Sequence, residues 1–229
     1  MIRLEKARAL DRMIRQDDVE DLVIPTWTLI REAIHTGKME DALALLDYCY
    51  SETKTLHDSL CSTIDSLVTH LASFNEEEVY KFFRTRYELI VRRWLSETPG
   101  VRESLQRAIE YQRGHGGNCT ITEDKDKYVV ACDPCGSGGQ IRRTKNVEMV
   151  RKPYFWTWGK KDVPYYCVHC CVMWEILPIE LRGFPIRINF IGNRPEDPCT
   201  HFYYKKPELI PGEYYTRIGQ SKPRHISRQ

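Results

Sequence analysis

The chain has 229 residues, a formal net charge of +2 and nine cysteines, and is long enough to bury a core without covalent staples. An odd cysteine count rules out complete pairing within one chain, and no apolar run reaches the length of a membrane span. Met1-Ile-Arg-Leu-Glu-Lys alternates charge and apolar residues rather than opening a signal segment. The expected setting is therefore a reducing cytoplasm with thiols free or metal-bound, and no membrane.

The charge is uneven. Residues 1–115 carry 16 Lys and Arg against 20 Asp and Glu, and residues 116–229 carry 18 against 12. Such mild basicity suits a small anionic ligand or a nucleic acid without selecting either.

In chain order, Leu4 to Arg15 has helical composition, and Pro25 opens a second helix that Thr36-Gly37 ends. From Met39, the residues Leu43, Leu46, Tyr50, His57, Leu60, Ile64, Leu67, Leu71 and Phe74 follow three–four spacing. That predicts one helix of about 35 residues with this stripe as its apolar face. Asn75 is an N-cap ahead of three glutamates, and their helix runs to about Leu95. A last helix covers Val101 to Arg113 and stops at Gly114-His-Gly-Gly117. That glycine cluster is the expected boundary between a helical domain, 1–115, and a cysteine-rich domain, 116–219. Beyond it, Thr120-Ile-Thr, Tyr128-Val-Val-Ala and Ile186 to Ile191 read as strands, and Val168 to Leu177 as a helix stopped by Pro178. Residues 220–229 read as a disordered basic tail. The predicted class is α+β, a helical N-terminal bundle packed on a small, metal-stapled β-rich half.

Two clusters carry the chemistry: Cys132-Asp-Pro-Cys135-Gly-Ser-Gly-Gly and Tyr166-Cys167-Val-His169-Cys170-Cys171. A CxxC pair lets two thiolates reach one ion from a tight turn, and two pairs complete a tetrahedral zinc site. The expected ligands are Cys132, Cys135, Cys167 and Cys170, with 31 residues between the pairs. Cys171, His169, Cys199 and His201 are alternates, because an open catalytic zinc often mixes His with Cys. Four thiolates suit iron as well as zinc.

Gly136-Ser-Gly-Gly139 followed by Arg142 and Arg143 reads as a flexible turn or as an anion nest. With Trp158, the two arginines are the substrate-binding candidates. His57 lies in the helical stripe with Lys54, Asp58 and Cys61 nearby, so His57, Asp58 and His201 are the catalytic candidates. Aromatics such as Trp156, Trp158, Tyr165, Trp174 and Tyr203 crowd the clusters as core, pocket wall or base-stacking platform.

Cys135-Gly-Ser-Gly-Gly, Trp156-Thr-Trp-Gly, Tyr166-Cys-Val-His-Cys-Cys, Pro198-Cys-Thr-His201, Ala42-Leu-Ala-Leu-Leu-Asp and Leu56-His-Asp resemble an uncharacterised bacterial family. That family pairs a helical N-terminal half with a cysteine-rich C-terminal half. At the CxxC pairs alone the chain is loosely similar to zinc ribbons, from which the long spacer, His169 and Cys171 depart. The leading expectation is a zinc enzyme, a hydrolase or lyase, acting on a small anionic molecule by hydrolysis, elimination or related proton transfer. The alternatives are a zinc-ribbon module for nucleic acid or a protein partner, and thiol redox chemistry at Cys170-Cys171 or a CxxC pair.

Overall fold

The computed structural model describes residues 4–8, 11–19 and 21–223. Residues 224–229 of the expected tail lie outside them. The class is α+β, as the residue patterns predict. No helix among the described residues is long and apolar enough to cross a membrane. The chain forms two compact units, Met1–Ser59 and Leu60–Gln229, so the glycine cluster at 114–117 lies inside the second.

The first unit opens on a correction. Leu4 to Arg15 is not a helix but an antiparallel hairpin of β1 (Leu4–Ala7) and β2 (Arg12–Arg15), with Leu4 opposite Arg15. Asp11 takes a left-handed φ of 47° at the turn. Helical composition is a weak prior, and strand pairing overrides it here. The Arg15 guanidinium donates to the Ile24 carbonyl at 2.9 Å and to Thr26 Oγ1 at 3.0 Å, tying the hairpin to the start of α1 (Thr26–His35). Gly37, with φ +75°, ends that helix as expected.

Helix α2 (Met39–Phe74) is continuous for 36 residues, and the unit division falls within it. Its inward face differs from the expected stripe. Leu45 is 0 % exposed while Leu46 is 55 % exposed, and Leu43, Tyr50, Leu60, Leu67 and Phe74 also face outward. The buried positions are Ala42, Leu45 and Tyr48, then Cys61, Asp65, Val68 and Ala72. Both sets keep helical spacing, so periodicity alone cannot say which one the core selects.

In the second unit, α3 (Glu76–Glu97) starts at Asn75, whose side chain accepts from Glu77 N at 3.1 Å. Helix α4 (Val101–Gly114) follows, and the Trp94 indole donates to Ser104 Oγ at 2.9 Å between them. The cysteine-rich part holds β3 (Cys119–Glu123), β4 (Lys127–Cys132), α5 (Gly138–Thr144), α6 (Val168–Cys171), a π turn (Val172–Ile176), α7 (Leu177–Arg182), β5 (Ile188–Phe190), β6 (Cys199–Tyr204) and α8 (Glu213–Thr216). The sheet is antiparallel in the order β3-β4-β6-β5.

Three local readings change. The expected helix at 168–177 runs on through Pro178 to Arg182. The π turn just before α7 lets the chain absorb a residue that lacks an N–H and crowds a normal turn. Gly136 and Ser137 form a turn, and Gly138 to Thr144 then form α5, a helix outside the predicted elements. Strand β6, outside the predicted elements, buries Cys199, His201 and Tyr203 on one face by strict alternation.

Candidate metal centre

His57 and Cys61 lie four positions apart on α2, which places them on one face of the helix. His57 Nδ1 is 3.0 Å from Asp58 Oδ1, and the other Asp58 oxygen takes a 2.6 Å ion pair from Lys54. Burial tends to raise the Asp58 carboxyl, but the hydrogen bonds from Lys54 and His57 outweigh it and hold it below the usual range. A carboxylate on Nδ1 fixes that nitrogen as the donor and leaves the Nε2 lone pair for an ion. Cys61 is buried, and the Tyr166 hydroxyl donates to its sulfur at 3.6 Å. Burial, reinforced by Cys61, pushes the Tyr166 phenol up, so it stays a donor.

His115 closes α4. Its N–H donates to the Tyr111 carbonyl at 2.9 Å, and Gly117 N–H reaches the Gln112 carbonyl at 2.7 Å. Gly116, with φ +68°, takes the left-handed position that this helix end needs. One ligand atom from each of His57, Cys61 and His115 lies within 4.8 Å of the others. Such a cluster can hold a metal ion. Two imidazoles and one thiolate are borderline-to-soft donors, a set that suits zinc and disfavours magnesium or calcium. Three protein ligands leave a fourth tetrahedral position for water or substrate.

The CxxC thiols make different hydrogen bonds. Cys132 ends β4 with its thiol hydrogen-bonded to Cys119. Cys135 comes after the turn, where its sulfur accepts from Gly139 N at 2.9 Å and from the Cys199 thiol. The Cys199 hydrogen bond is the largest influence on Cys135; with the Gly139 and Ser137 N–H groups it holds the thiol below its ordinary range against the opposing effect of burial. Cys167 is buried beneath Gly138, where an added Cβ would overlap its sulfur. Burial, with Cys135 and Cys170 nearby, pushes its thiol well up. Cys170 is pushed up to about 12, chiefly by burial, and its sulfur is 3.5 Å from His169 Nε2. His169 Nδ1 donates to the Tyr166 carbonyl at 2.6 Å, and burial favours its neutral form. Cys171 turns away, donating to the Phe155 carbonyl at 3.8 Å.

His201 is buried on β6, where burial and the nearby positive Arg187 hold its imidazole well below the usual range. Its Nδ1 has no hydrogen-bond partner among the described residues. Arg142 is buried and donates to the Gly192 carbonyl at 2.7 Å, with Cys199 Sγ at 3.7 Å. Arg143 donates to the carbonyls of Pro195 and Glu196 and pairs with Asp133. Trp158 donates to buried Glu175 at 2.8 Å and lines a cleft of about 300 Å³ with Lys160, Lys161 and Arg217.

Sequence reasoning placed His57, Asp58 and Cys61 near one another but did not connect His115 to them. The only local sign for His115 was its place between glycines. No protein-family model, curated protein or solved structure matches the chain.

Proposed function

We propose that the protein is a zinc metalloenzyme whose ion is held by His57, Cys61 and His115 and whose substrate is a small anionic molecule. The observation that carries this reading is the approach of three ligand atoms from these residues within 4.8 Å, one ligand short of a closed structural site. A zinc ion in such a site supplies a water of lowered pKa and a Lewis acid for hydrolysis or elimination. His57 serves here as a ligand rather than as the general base. Asp58 orients it, and the Tyr166 hydroxyl steadies the Cys61 sulfur. Lys145, bonded to Ser62 Oγ at 3.1 Å, is neutralised by buried Asp65 at 2.8 Å, so the anionic character of the substrate rests on the basic excess of residues 116–229.

A second reading, a structural zinc at the cysteine knuckle, is favoured by one observation: Cys135 and Cys167 both pack against the glycines that open α5. In that case the protein would be a binding module for nucleic acid or a protein partner.

Cobalt substitution separates the two. The first reading expects a sulfur-to-cobalt charge-transfer band that Cys61→Ser removes, and ligand-field bands that shift when azide or inorganic phosphate enters the open position. A spectrum indifferent to both anions and to Cys61→Ser would overturn it.

A further inference from the structure

Cys119, Cys132 and Cys199 form one row across three adjacent strands, since Cys119 is opposite Cys132 and Cys132 is opposite Cys199. The two contacts are not equivalent. Asp133 N donates to the Asn118 carbonyl at 2.6 Å, and Asp124 N to the Lys127 carbonyl at 3.0 Å. Antiparallel ladders alternate, so Asn118 with Asp133 is a hydrogen-bonded pair and Cys119 with Cys132 is a non-hydrogen-bonded one. On the other side, Lys205 N donates to the Asp126 carbonyl at 2.8 Å. Six residues on, the same alternation makes Cys132 with Cys199 a hydrogen-bonded pair. Side chains approach more closely in a non-hydrogen-bonded pair, about 4.5 Å between Cα atoms against about 5.5 Å. The thiols follow this difference: Cys132 hydrogen-bonds Cys119, while Cys199 hydrogen-bonds Cys135.

We propose that Cys119 and Cys132 are a reversible redox pair, closed to a cross-strand disulfide by small-molecule disulfides such as oxidised glutathione. Cys119 is half-buried while Cys132 is fully buried, so Cys119 meets the oxidant first. The Cys119 thiolate attacks one sulfur of oxidised glutathione, the S–S bond breaks, and one glutathione thiolate leaves. Cys132 then attacks the Cys119 sulfur, the Cys119–glutathione S–S bond breaks, and the Cys132 proton leaves on the second glutathione as its thiol. Two protein thiols are oxidised and one glutathione disulfide is reduced to two thiols. Neither residue belongs to the His57, Cys61 and His115 set, so the pair is independent of that site.

The test equilibrates the full chain with glutathione buffers of increasing oxidised fraction, alkylates the remaining thiols and maps the peptides. The expected result is a peptide linking Cys119 to Cys132, both thiols lost together, restored by dithiothreitol and unchanged in Cys199→Ser. A link from Cys132 or Cys135 to Cys199 would overturn it. So would Cys119 held as a glutathione mixed disulfide while Cys132 stays alkylatable, or both thiols remaining reduced throughout. Peptide mapping of the unmodified chain decides the matter even if Cys119→Ser fails to fold.

Discussion

Gly136 presses its backbone against the carbonyl of His115: a Cβ at 136 would overlap that carbonyl and the His115 side chain. The turn after Cys135 therefore sets where the end of α4 sits. Gly136→Ala should lower unfolding free energy by about 1–3 kcal/mol and weaken zinc binding without altering any ligand. Chemical denaturation and a competitive zinc titration check both effects.

Asp58 accepts from His57 while it is paired with Lys54. Asp58→Asn keeps the shape but weakens the hold on the imidazole. Zinc affinity should fall by roughly 10–100-fold, as for other partners behind a metal ligand, with the fold intact by circular dichroism. An unchanged affinity would place His57 outside the metal site.

Glu76 is buried and accepts from the Tyr165 hydroxyl at 2.6 Å, the Tyr154 hydroxyl at 3.0 Å and Arg151 N at 2.7 Å. Burial opposes the charged form, but these hydrogen bonds prevail and hold the carboxyl below its ordinary range. A depressed folded-state value means the carboxylate stabilises the fold above about pH 4.3, the unfolded value, and that contribution is lost as pH falls through the folded one. Glu76→Gln should lower stability at pH 7 by about 1–3 kcal/mol and flatten the acid side of the stability profile. Urea melts from pH 7 to pH 3 check the sign.

The inward face of α2 gives a paired test. Leu45 is fully buried and Leu46 is 55 % exposed. Leu45→Ala should remove about 2–4 kcal/mol, and Leu46→Ala less than about 1. Equal effects in thermal melts would contradict the observed face.

Much of this fold was legible because its signals are local. The cap at Asn75, the stop at Gly37 and the β-branched run at 128–131 each act within a turn or two, and each element forms where those residues predict. The hairpin at Leu4–Arg15 was not legible, because its helical composition competes with a partner strand that only folding supplies. The α2 stripe failed for a related reason: Leu45 and Leu46 are equally apolar, and tertiary packing chooses between them. The site divides in the same way. His57 and Cys61 are one helical turn apart and readable as neighbours, whereas His115 is brought in by chain that carries no ligand spacing. Likewise, Cys132 looks like the partner of Cys135 in sequence, yet strand register places it opposite Cys119.

In the proposed site His57, Cys61 and His115 hold the ion. Elemental analysis of the full chain, compared with Cys61→Ser and His115→Ala, tests it most directly, with circular dichroism confirming that each variant folds. Zinc is expected in the unaltered chain and is expected to be lost from both folded variants. Full zinc retained in folded His115→Ala and Cys61→Ser, but lost in Cys167→Ser, would contradict it.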